Sequence, residues 1–162
     1  MVEKTLILIK PDGVRRGLVG EIIRRIERTG LKIVSMKMTW VDKKFAEEHY
    51  SDIKDRYDKK IFNNLTAYIT AGPVIAICFE GVAAISLVRK IVGSTYPSDA
   101  MPGTIRGDFC HISKDYAARK AKSVGNLIHA SANKKDAKKE LELWFSIEEF
   151  HDYKTSHQDE VI

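Results

Sequence analysis

The chain has 162 residues, 44% of them hydrophobic and 30% charged, which is typical of one globular domain with its own hydrophobic core. Its apolar runs are too short for a membrane span or a secretory leader, and Cys78 and Cys110 form no CxxC pair, which predicts free thiols in the cytoplasm and no membrane partner. The net charge of +5 predicts an anionic partner, either a nucleic acid or a phosphorylated small molecule.

Hydrophobic periodicity and turn residues divide the chain into alternating strands and helices. In chain order, the predicted elements are strand 5–9, a turn at 10–13, helix 18–28, strand 31–40, helices 43–50 and 61–69, strand 74–80, helix 82–92, a loop over 93–108, strand 126–130 and helix 134–145. Two successive strand–helix–strand units predict an α/β architecture of the α+β sandwich kind. This is a ferredoxin-like βαββαβ antiparallel sheet with helices on it and an extra long loop. No repeat or linker interrupts it, so we expect a single domain over 1–162.

Three charged residues fall where the pattern favours apolar side chains. Lys10 ends an apolar strand, Arg89 lies within the apolar arc of its helix, and Glu140 lies in an apolar stripe. Buried charges are costly unless they are paired. One interpretation is that each side chain buries its stem and keeps its charged end in water. The other is that the two cations converge with Arg106 on a phosphate while Glu140 orients a histidine.

The 93–108 loop is the second unusual feature. Long irregular loops are uncommon in compact domains and are often functional, although an ordinary surface loop is the simpler interpretation. Thr95, Thr104 and Arg106 supply donors that suit phosphate oxygens. Because the chain contains neither GxxxxGK[ST] nor GxGxxG, side chains rather than a glycine loop would have to bind a phosphate here.

His129, in "NLIHAS", has no partner at a catalytic or metal-binding spacing. The five histidines of the chain show no zinc spacing, so we expect no metal ligands among the site residues. A lone histidine is more often a packed structural residue than a catalytic one. Asn126 lies three residues earlier, and in a regular strand the two side chains would point to opposite faces. If both belong to one site, the strand begins after Asn126 or is irregular there.

Four segments, "IKPDGVRRGLVGEII", "HYSDIKDR", "PGTIRGDF" and "NLIHASAN", resemble the signature segments of the nucleoside diphosphate kinase family. They occur in the family's order, and the resemblance extends over residues 4 to 154. It implies that His129 is the histidine that becomes phosphorylated. It also implies nucleotide contacts at five positions: Lys10, Arg89, Thr95 and Arg106 for the phosphates, and Asn126 for the sugar hydroxyl.

The resemblance also implies three residues that support the histidine. Tyr50 and Ser131 match residues near it, and Glu140 matches the glutamate that hydrogen-bonds the ring nitrogen that is not phosphorylated. The implied reaction is a ping-pong transfer, in which the γ-phosphate of a nucleoside triphosphate, mainly ATP, moves to His129 and then to a nucleoside diphosphate. It supplies NTPs and dNTPs, and Mg²⁺ binds through the nucleotide phosphates.

The family further implies a homo-oligomer assembled through the sheet edge and the 93–108 loop, with a hexamer favoured over a tetramer. The sequence departs from the family pattern in three places. The longer segment "YDKKIFNNLTA" leaves Ile61, Phe62 or Tyr57 as the residue that stacks on the base. Residues 110–125 are also longer and predict an extra helical turn or helix. Ala132 replaces the usual aspartate, which predicts a lost magnesium-water or neighbouring contact but retained chemistry.

Two other functions remain open from the sequence. A ferredoxin-like order is shared with RNA-recognition domains, so a basic nucleic-acid-binding module is the main alternative. Against it, neither "VIAICFE" nor "LKIVSMKMTW" carries the aromatic signature of those domains, and nucleic acid would be at most a secondary partner of an enzyme. The third candidate is a phosphohistidine regulator, which turnover with free nucleoside diphosphates would exclude.

Overall fold

One four-stranded antiparallel sheet organises the computed structural model, which describes residues 1–54, 58–120, 122–156 and 158–161. Its strands are β1 (Val2–Ile9), β2 (Lys32–Thr39), β3 (Val74–Val82) and β4 (Ile128–Ala130). They lie in the order β2-β3-β1-β4, and each neighbouring pair is antiparallel. This arrangement confirms the ferredoxin-like α+β prediction.

Helices connect these strands and cover both faces of the sheet. In chain order, they are α1 (Pro11–Arg15), α2 (Val19–Glu27), α3 (Lys43–His49), α4 (Ser51–Lys54), α5 (Lys59–Ile69), α6 (Ala84–Val92), α7 (Ile105–Phe109), α8 (Lys114–Arg119), α9 (Lys134–Trp144) and α10 (Gln158–Val161). Among the helices of the described ranges, none has the length and apolar character needed to cross a membrane. Helix α8 confirms the helix predicted within residues 110–125.

The central strand β1 is covered on both faces, which explains its continuous apolar run. Leu6 and Leu8 pack on the face covered by α3, α5 and α9, where Trp144 is also buried. Ile7 and Ile9 pack on the opposite face, under α2 and α6. All four side chains are fully buried, and each contributes about 1.5–3 kcal/mol relative to an exposed position. Strand β1 is therefore a rigid support for whatever follows it.

Two segments that the sequence predicts to be irregular are partly helical. The turn predicted over 10–13 is wrong, because Pro11 begins α1, where its fixed φ suits a first helical position and its missing N–H costs nothing. The predicted 93–108 loop contains a short 3-10 helix, Pro97–Asp99, and the start of α7. The Thr104 hydroxyl caps α7 by accepting a hydrogen bond from the Gly107 N–H at 3.1 Å. Arg106 consequently lies on a short helix rather than in a loop.

An unusual backbone conformation at Leu127 sets the direction of the segment that enters β4. Leu127 has φ 66°, in the left-handed region, so β4 begins only at Ile128. The conformation is held from both sides, because the Leu127 N–H donates to Asp12 Oδ2 at 3.2 Å and its carbonyl accepts from the Lys10 N–H at 2.8 Å. Gly13 allows this close approach, since a Cβ there would lie 3.0 Å from the Leu127 oxygen. The prediction of a strand from 126 is thus wrong, and the irregularity permits Asn126 and His129 to share one site.

Candidate active site

A cavity of about 660 Å³ opens between the end of β1, helices α3, α5, α6 and α8, and strand β4. Eight of the nine predicted site residues line it: Lys10, Tyr50, Arg89, Thr95, Arg106, Asn126, His129 and Glu140. The ninth, Ser131, is fully buried and contacts the site through Glu140. The fold therefore collects residues from six separate parts of the chain around one space.

The His129 ring is oriented by a carboxylate. Strand pairing places His129 opposite Leu8 of β1, on the sheet face that α9 covers. Its Nε2 lies 2.9 Å from Glu140 Oε1, and the Ser131 hydroxyl donates to the other carboxylate oxygen at 2.6 Å. Burial opposes ionisation of Glu140, but the contacts with His129 and Ser131 hold the pKa of the carboxyl below its ordinary value. An ionised carboxylate accepts the Nε2 proton, so Nδ1 keeps the free lone pair.

Lys10 forms the buried cationic end of the cavity. Its Nζ donates to Asn126 Oδ1 at 2.8 Å and lies 5.2 Å from the centre of the Tyr68 ring. The Asn126 amide in turn donates to the Thr95 carbonyl at 2.9 Å, which connects this end to the 93–108 segment. Burial, followed by the nearby Arg106 charge, lowers the pKa of Lys10 to about 7.

Arg106 braces the backbone around the site. Its guanidinium donates to the carbonyl oxygens of Gly93, Ser94, Asn126 and Ile128. These bonds use four of the five N–H groups of the side chain, which leaves one at Nη2 without a partner among the described residues. Burial and the positive charge of Arg89 lower the pKa of Arg106 to about 10, so it remains a cation at neutral pH. Arg106 therefore holds the cavity wall and keeps one donor for a ligand.

Arg89 does not point into the protein interior as its position in the helical pattern predicts. The buried stripe of α6 consists of Ala84, Ile85, Val88 and Val92, and Arg89 lies beside that stripe with an exposed side chain. It still lines the cavity, as does the exposed Thr95. Both residues therefore form the solvent side of the cationic region. An exposed cation avoids the desolvation cost that a buried position would impose.

His49 is a cavity residue that the sequence interpretation missed. It ends α3 and is buried beside His129, with ring centres 5.1 Å apart and planes at 82°. The Trp144 indole N–H donates to His49 Nδ1 at 3.2 Å. Its position three residues after the buried Ala46 could have indicated an inward direction, because helix periodicity places these two side chains on one face.

Helices α5 and α8 line the cavity with both polar and aliphatic side chains, the polar ones being Lys60, Asn64 and Lys114. Ile61 and Leu65 of α5 line it together with Ala117 and Ala118 of α8. Phe62 belongs to the hydrophobic core under the sheet instead and does not line the cavity, whereas Ile61 is 44% exposed. The third candidate for stacking on a base, Tyr57, lies outside the described residues. Of the two described candidates, only Ile61 is placed to contact a bound ligand.

Carboxylates of the cavity do not form a metal centre by themselves. Asp52 and Asp136 line it, and Ala132 lines it at the position of the missing aspartate. Within the described ranges, no group of three or more His, Cys, Asp and Glu side chains could hold a metal ion. Mg²⁺ commonly binds through one or two carboxylates, several waters and substrate phosphates. The donor set therefore fits a magnesium ion that arrives with a nucleotide.

A family model, "Nucleoside diphosphate kinase", matches residues 3–150. The chain belongs to the nucleoside diphosphate kinase family. It is 46% identical to the nucleoside diphosphate kinase of Borreliella burgdorferi, with 99% of this chain and 97% of the relative covered. It is 45% identical to human nucleoside diphosphate kinase B, with 98% and 95% covered.

Solved structures extend the similarity to the fold. The transition-state mimic of the Borrelia burgdorferi enzyme, with bound vanadate and ADP, has a TM-score of 0.96 at 46% identity and covers 99% of this chain and 96% of its own. A halophilic nucleoside diphosphate kinase from Halobacterium salinarum, in complex with CDP, has a TM-score of 0.86 at 38% identity, with 100% and 99% covered. Family and fold together identify this chain as a nucleotide-binding phosphotransferase.

The buried ammonium of Lys10 predicts pH-dependent nucleotide binding. Its lowered pKa, about 7, means that the free protein loses this charge as the pH rises through neutrality, whereas an anionic ligand favours the protonated form. We expect the dissociation constant for ADP to rise by up to about tenfold per pH unit above pH 7, with uptake of one proton on binding. Calorimetric titration in buffers of different ionisation enthalpy measures both quantities. The Lys10→Met variant should bind ADP more weakly, and its dissociation constant should not show this pH dependence. If the variant keeps the pH dependence of the wild-type protein, Lys10 is not the group responsible.

Proposed function

We propose that the enzyme transfers the γ-phosphate of a nucleoside triphosphate, mainly ATP, to nucleoside diphosphates through a phosphohistidine at His129. The observation that supports this most directly is the pairing of His129 Nε2 with Glu140, which leaves Nδ1 as a nucleophile inside a cationic cavity. In the first half-reaction, the Nδ1 lone pair forms a bond to phosphorus, and the bond to the β-phosphate oxygen breaks. The diphosphate leaves with that electron pair. A second diphosphate then reverses the step, so one site supplies NTPs and dNTPs.

The surrounding side chains divide the binding of the nucleotide between them. Lys10 and the free N–H of Arg106 offset charge on the transferring group from the buried side, and Arg89 and Thr95 hold the outer phosphates. Asn126 binds the sugar hydroxyl. Its amide is already oriented by Lys10 and Thr95, so little freedom is lost when a ligand arrives.

Tyr50 and Ser131 help to position His129 without binding the nucleotide themselves. Tyr50 is buried in the cavity wall, and Ser131 fixes the carboxylate that orients the ring. Asp52 and Asp136 are the carboxylates that would hold the waters of a Mg²⁺ ion bound to the nucleotide, and such an ion would neutralise phosphate charge. Asp136, in the first turn of α9, lines the same cavity as Ala132 and offers a replacement for the missing aspartate.

The nucleic-acid-binding alternative receives no support from the central strands. RNA-recognition domains stack bases on aromatic side chains of an open sheet face. Here Leu6, Leu8, Ile7 and Ile9 of β1 are all fully buried under helices. The sheet face that such a module would use is therefore covered.

Residues 1–162 form one domain in this proposal, and the domain assembles into a homo-oligomer, with a hexamer favoured over a tetramer. Strand β2 is at the edge of the sheet and exposes Met36 and Met38, and Trp40, which follows the strand, is also exposed. An exposed apolar edge strand readily pairs with another chain. The two free cysteines, Cys78 and Cys110, support a cytoplasmic location, where thiols stay reduced.

Phosphorylation of His129 is the central test. We expect γ-labelled ATP to label the wild-type protein on one histidine, with the label stable in base, lost in acid and discharged by added nucleoside diphosphates. The His129→Ala variant should take up no label, because its nucleophile is gone. Mass spectrometry of the labelled protein identifies the residue. A wild-type protein without label, or a fully labelled His129→Ala protein, would refute the function, and repeated turnover would exclude a regulator.

The small side chains Ala117 and Ala118 in the cavity lining predict that α8 limits the space for the base. We expect Ala118→Leu to lower kcat/KM for ADP by about tenfold, because the larger side chain would overlap the space that the bound base fills. Overpacking of this kind costs about 1–3 kcal/mol. Ribose 5-diphosphate lacks a base, so the Ala118→Leu variant should phosphorylate it as fast as the wild-type protein does. The control is Arg119→Leu on the same helix, since Arg119 does not line the cavity. Equal losses for both acceptors would contradict a base slot at this place.

The exposed edge predicts how the subunits assemble. A charge placed on the exposed face of β2 would have to lose its water when two subunits pair there, which costs free energy. We therefore expect Met38→Glu to shift the protein to smaller oligomers. Sedimentation velocity measures the distribution, and wild-type protein should sediment as a hexamer. A monomeric wild-type protein, or a Met38→Glu protein with the same sedimentation coefficient, would rule out assembly through this edge.

A further inference from the structure

His49 is a buried imidazole whose protonated nitrogen can be assigned from its contacts. The indole N–H of Trp144 is a donor only, and it lies 3.2 Å from His49 Nδ1, which must therefore accept. Burial and the neighbouring His129 lower the pKa of His49 to about 3, so the ring is neutral at physiological pH. A neutral ring that accepts at Nδ1 carries its proton at Nε2. His49 thus presents a fixed N–H donor.

That donor has no acceptor in the part of the chain that the structure describes. Nε2 makes no hydrogen bond there. It is also buried from solvent, since only 6% of the residue is exposed. A buried polar group without a partner costs about 1–3 kcal/mol, and native proteins rarely keep one without a use. The ring lines the cavity, and its centre lies 5.1 Å from that of His129. An acceptor carried by a ligand on His129 would satisfy the group.

We propose that His49 Nε2–H donates a hydrogen bond to a non-bridging oxygen of the phosphoryl group as it moves onto His129, and keeps that bond in the phosphoenzyme. The inference rests on the proposed phosphohistidine mechanism and adds a catalytic residue to it. No proton leaves His49. The only covalent changes are the new bond from His129 Nδ1 to phosphorus and the broken bond to the leaving diphosphate oxygen.

A neutral donor suits a phosphate carrier that must also give the phosphate away. Lys10 and Arg106 already bring positive charge, and a third buried cation would stabilise the phosphoenzyme and slow the return step. A neutral N–H instead donates a directional hydrogen bond, and it attracts the phosphoryl group of the phosphoenzyme more weakly than a cation would. Trp144 gives this direction, because the other tautomer would turn a lone pair of Nε2 toward the phosphoryl oxygens.

The test compares two substitutions at position 49. Phe keeps a ring in the space but removes the donor, whereas Gln carries an amide N–H at a similar distance from the backbone. Single-turnover phosphorylation of His129 by ATP should be about 100-fold slower in His49→Phe, the effect typical of losing one donor to a transition-state oxygen. His49→Gln should recover to within about tenfold of wild type, and KM for ATP should change by less than about threefold in both.

The matched control is His111→Phe, which makes the same substitution at an exposed histidine that does not line the cavity. We expect it to phosphorylate at the wild-type rate. Thermal unfolding of all variants identifies any loss of fold. If His49→Phe is as fast as wild type, or His49→Gln is as slow as His49→Phe, the donor role is overturned. A wild-type protein that takes up no phosphate would refute the phosphohistidine mechanism itself, which is a different result.

Nuclear magnetic resonance of protein with ¹⁵N-labelled histidine gives a second readout that a structural role would not affect. In the phosphoenzyme, the His49 Nε2–H proton should move downfield and show coupling to ³¹P across the hydrogen bond. The Nδ1 resonance should remain that of an acceptor in both states, because Trp144 stays in place. An Nε2–H resonance that is the same with and without phosphate would overturn the proposal.

Discussion

The left-handed conformation of Leu127 is the constraint on which the site geometry depends. A non-glycine residue in this region costs about 1–3 kcal/mol, so it persists only where its surroundings hold it. Here the Asp12 carboxylate binds the N–H, the Lys10 N–H binds the carbonyl, and the Leu127 side chain is fully buried. The left-handed conformation of Leu127 also lets Asn126 accept a hydrogen bond from the Lys10 ammonium while His129 stays in β4. The same short turn thus sets the positions of both Asn126 and His129 in the cavity.

Positive charge in the cavity ranges from the buried, hydrogen-bonded Arg106 and Lys10 to the exposed Arg89. Arg106 is tied to four carbonyl oxygens, and Lys10 is tied to one amide oxygen. Arg89 lies at the solvent side, where its charge is hydrated. Burying three uncompensated cations together would be expensive. Bracing one of them against the backbone and exposing another keeps the cost low while leaving the charge available to phosphate.

The sequence predicted the parts of the molecule that follow from local chemistry. Strands and long helices were predictable because their apolar periodicity matches their burial, and Lys10 and Glu140 could be recognised as charges in apolar surroundings. The start of α1 at Pro11 and the place of Arg106 on α7 were not predictable in this way, because each helix has only 5 residues, too few for an apolar period to show. Arg89 was misjudged because it borders the apolar arc, where a small rotation decides between interior and solvent. His49 shares a helix face with the buried Ala46, but its place in the site appears only when α9 brings Trp144 against it.

The cavity walls come from widely separated stretches of the chain, including the end of β1, helices α3, α5, α6 and α8, and strand β4. A nucleotide that contacts them all acts as a removable crosslink between segments that unfolding would separate. Ligand present at 100 times its dissociation constant adds about 2.7 kcal/mol to the free energy of unfolding. The resistance of this protein to unfolding and proteolysis is thereby tied to the nucleotide concentration of its surroundings, and it falls when those pools are depleted.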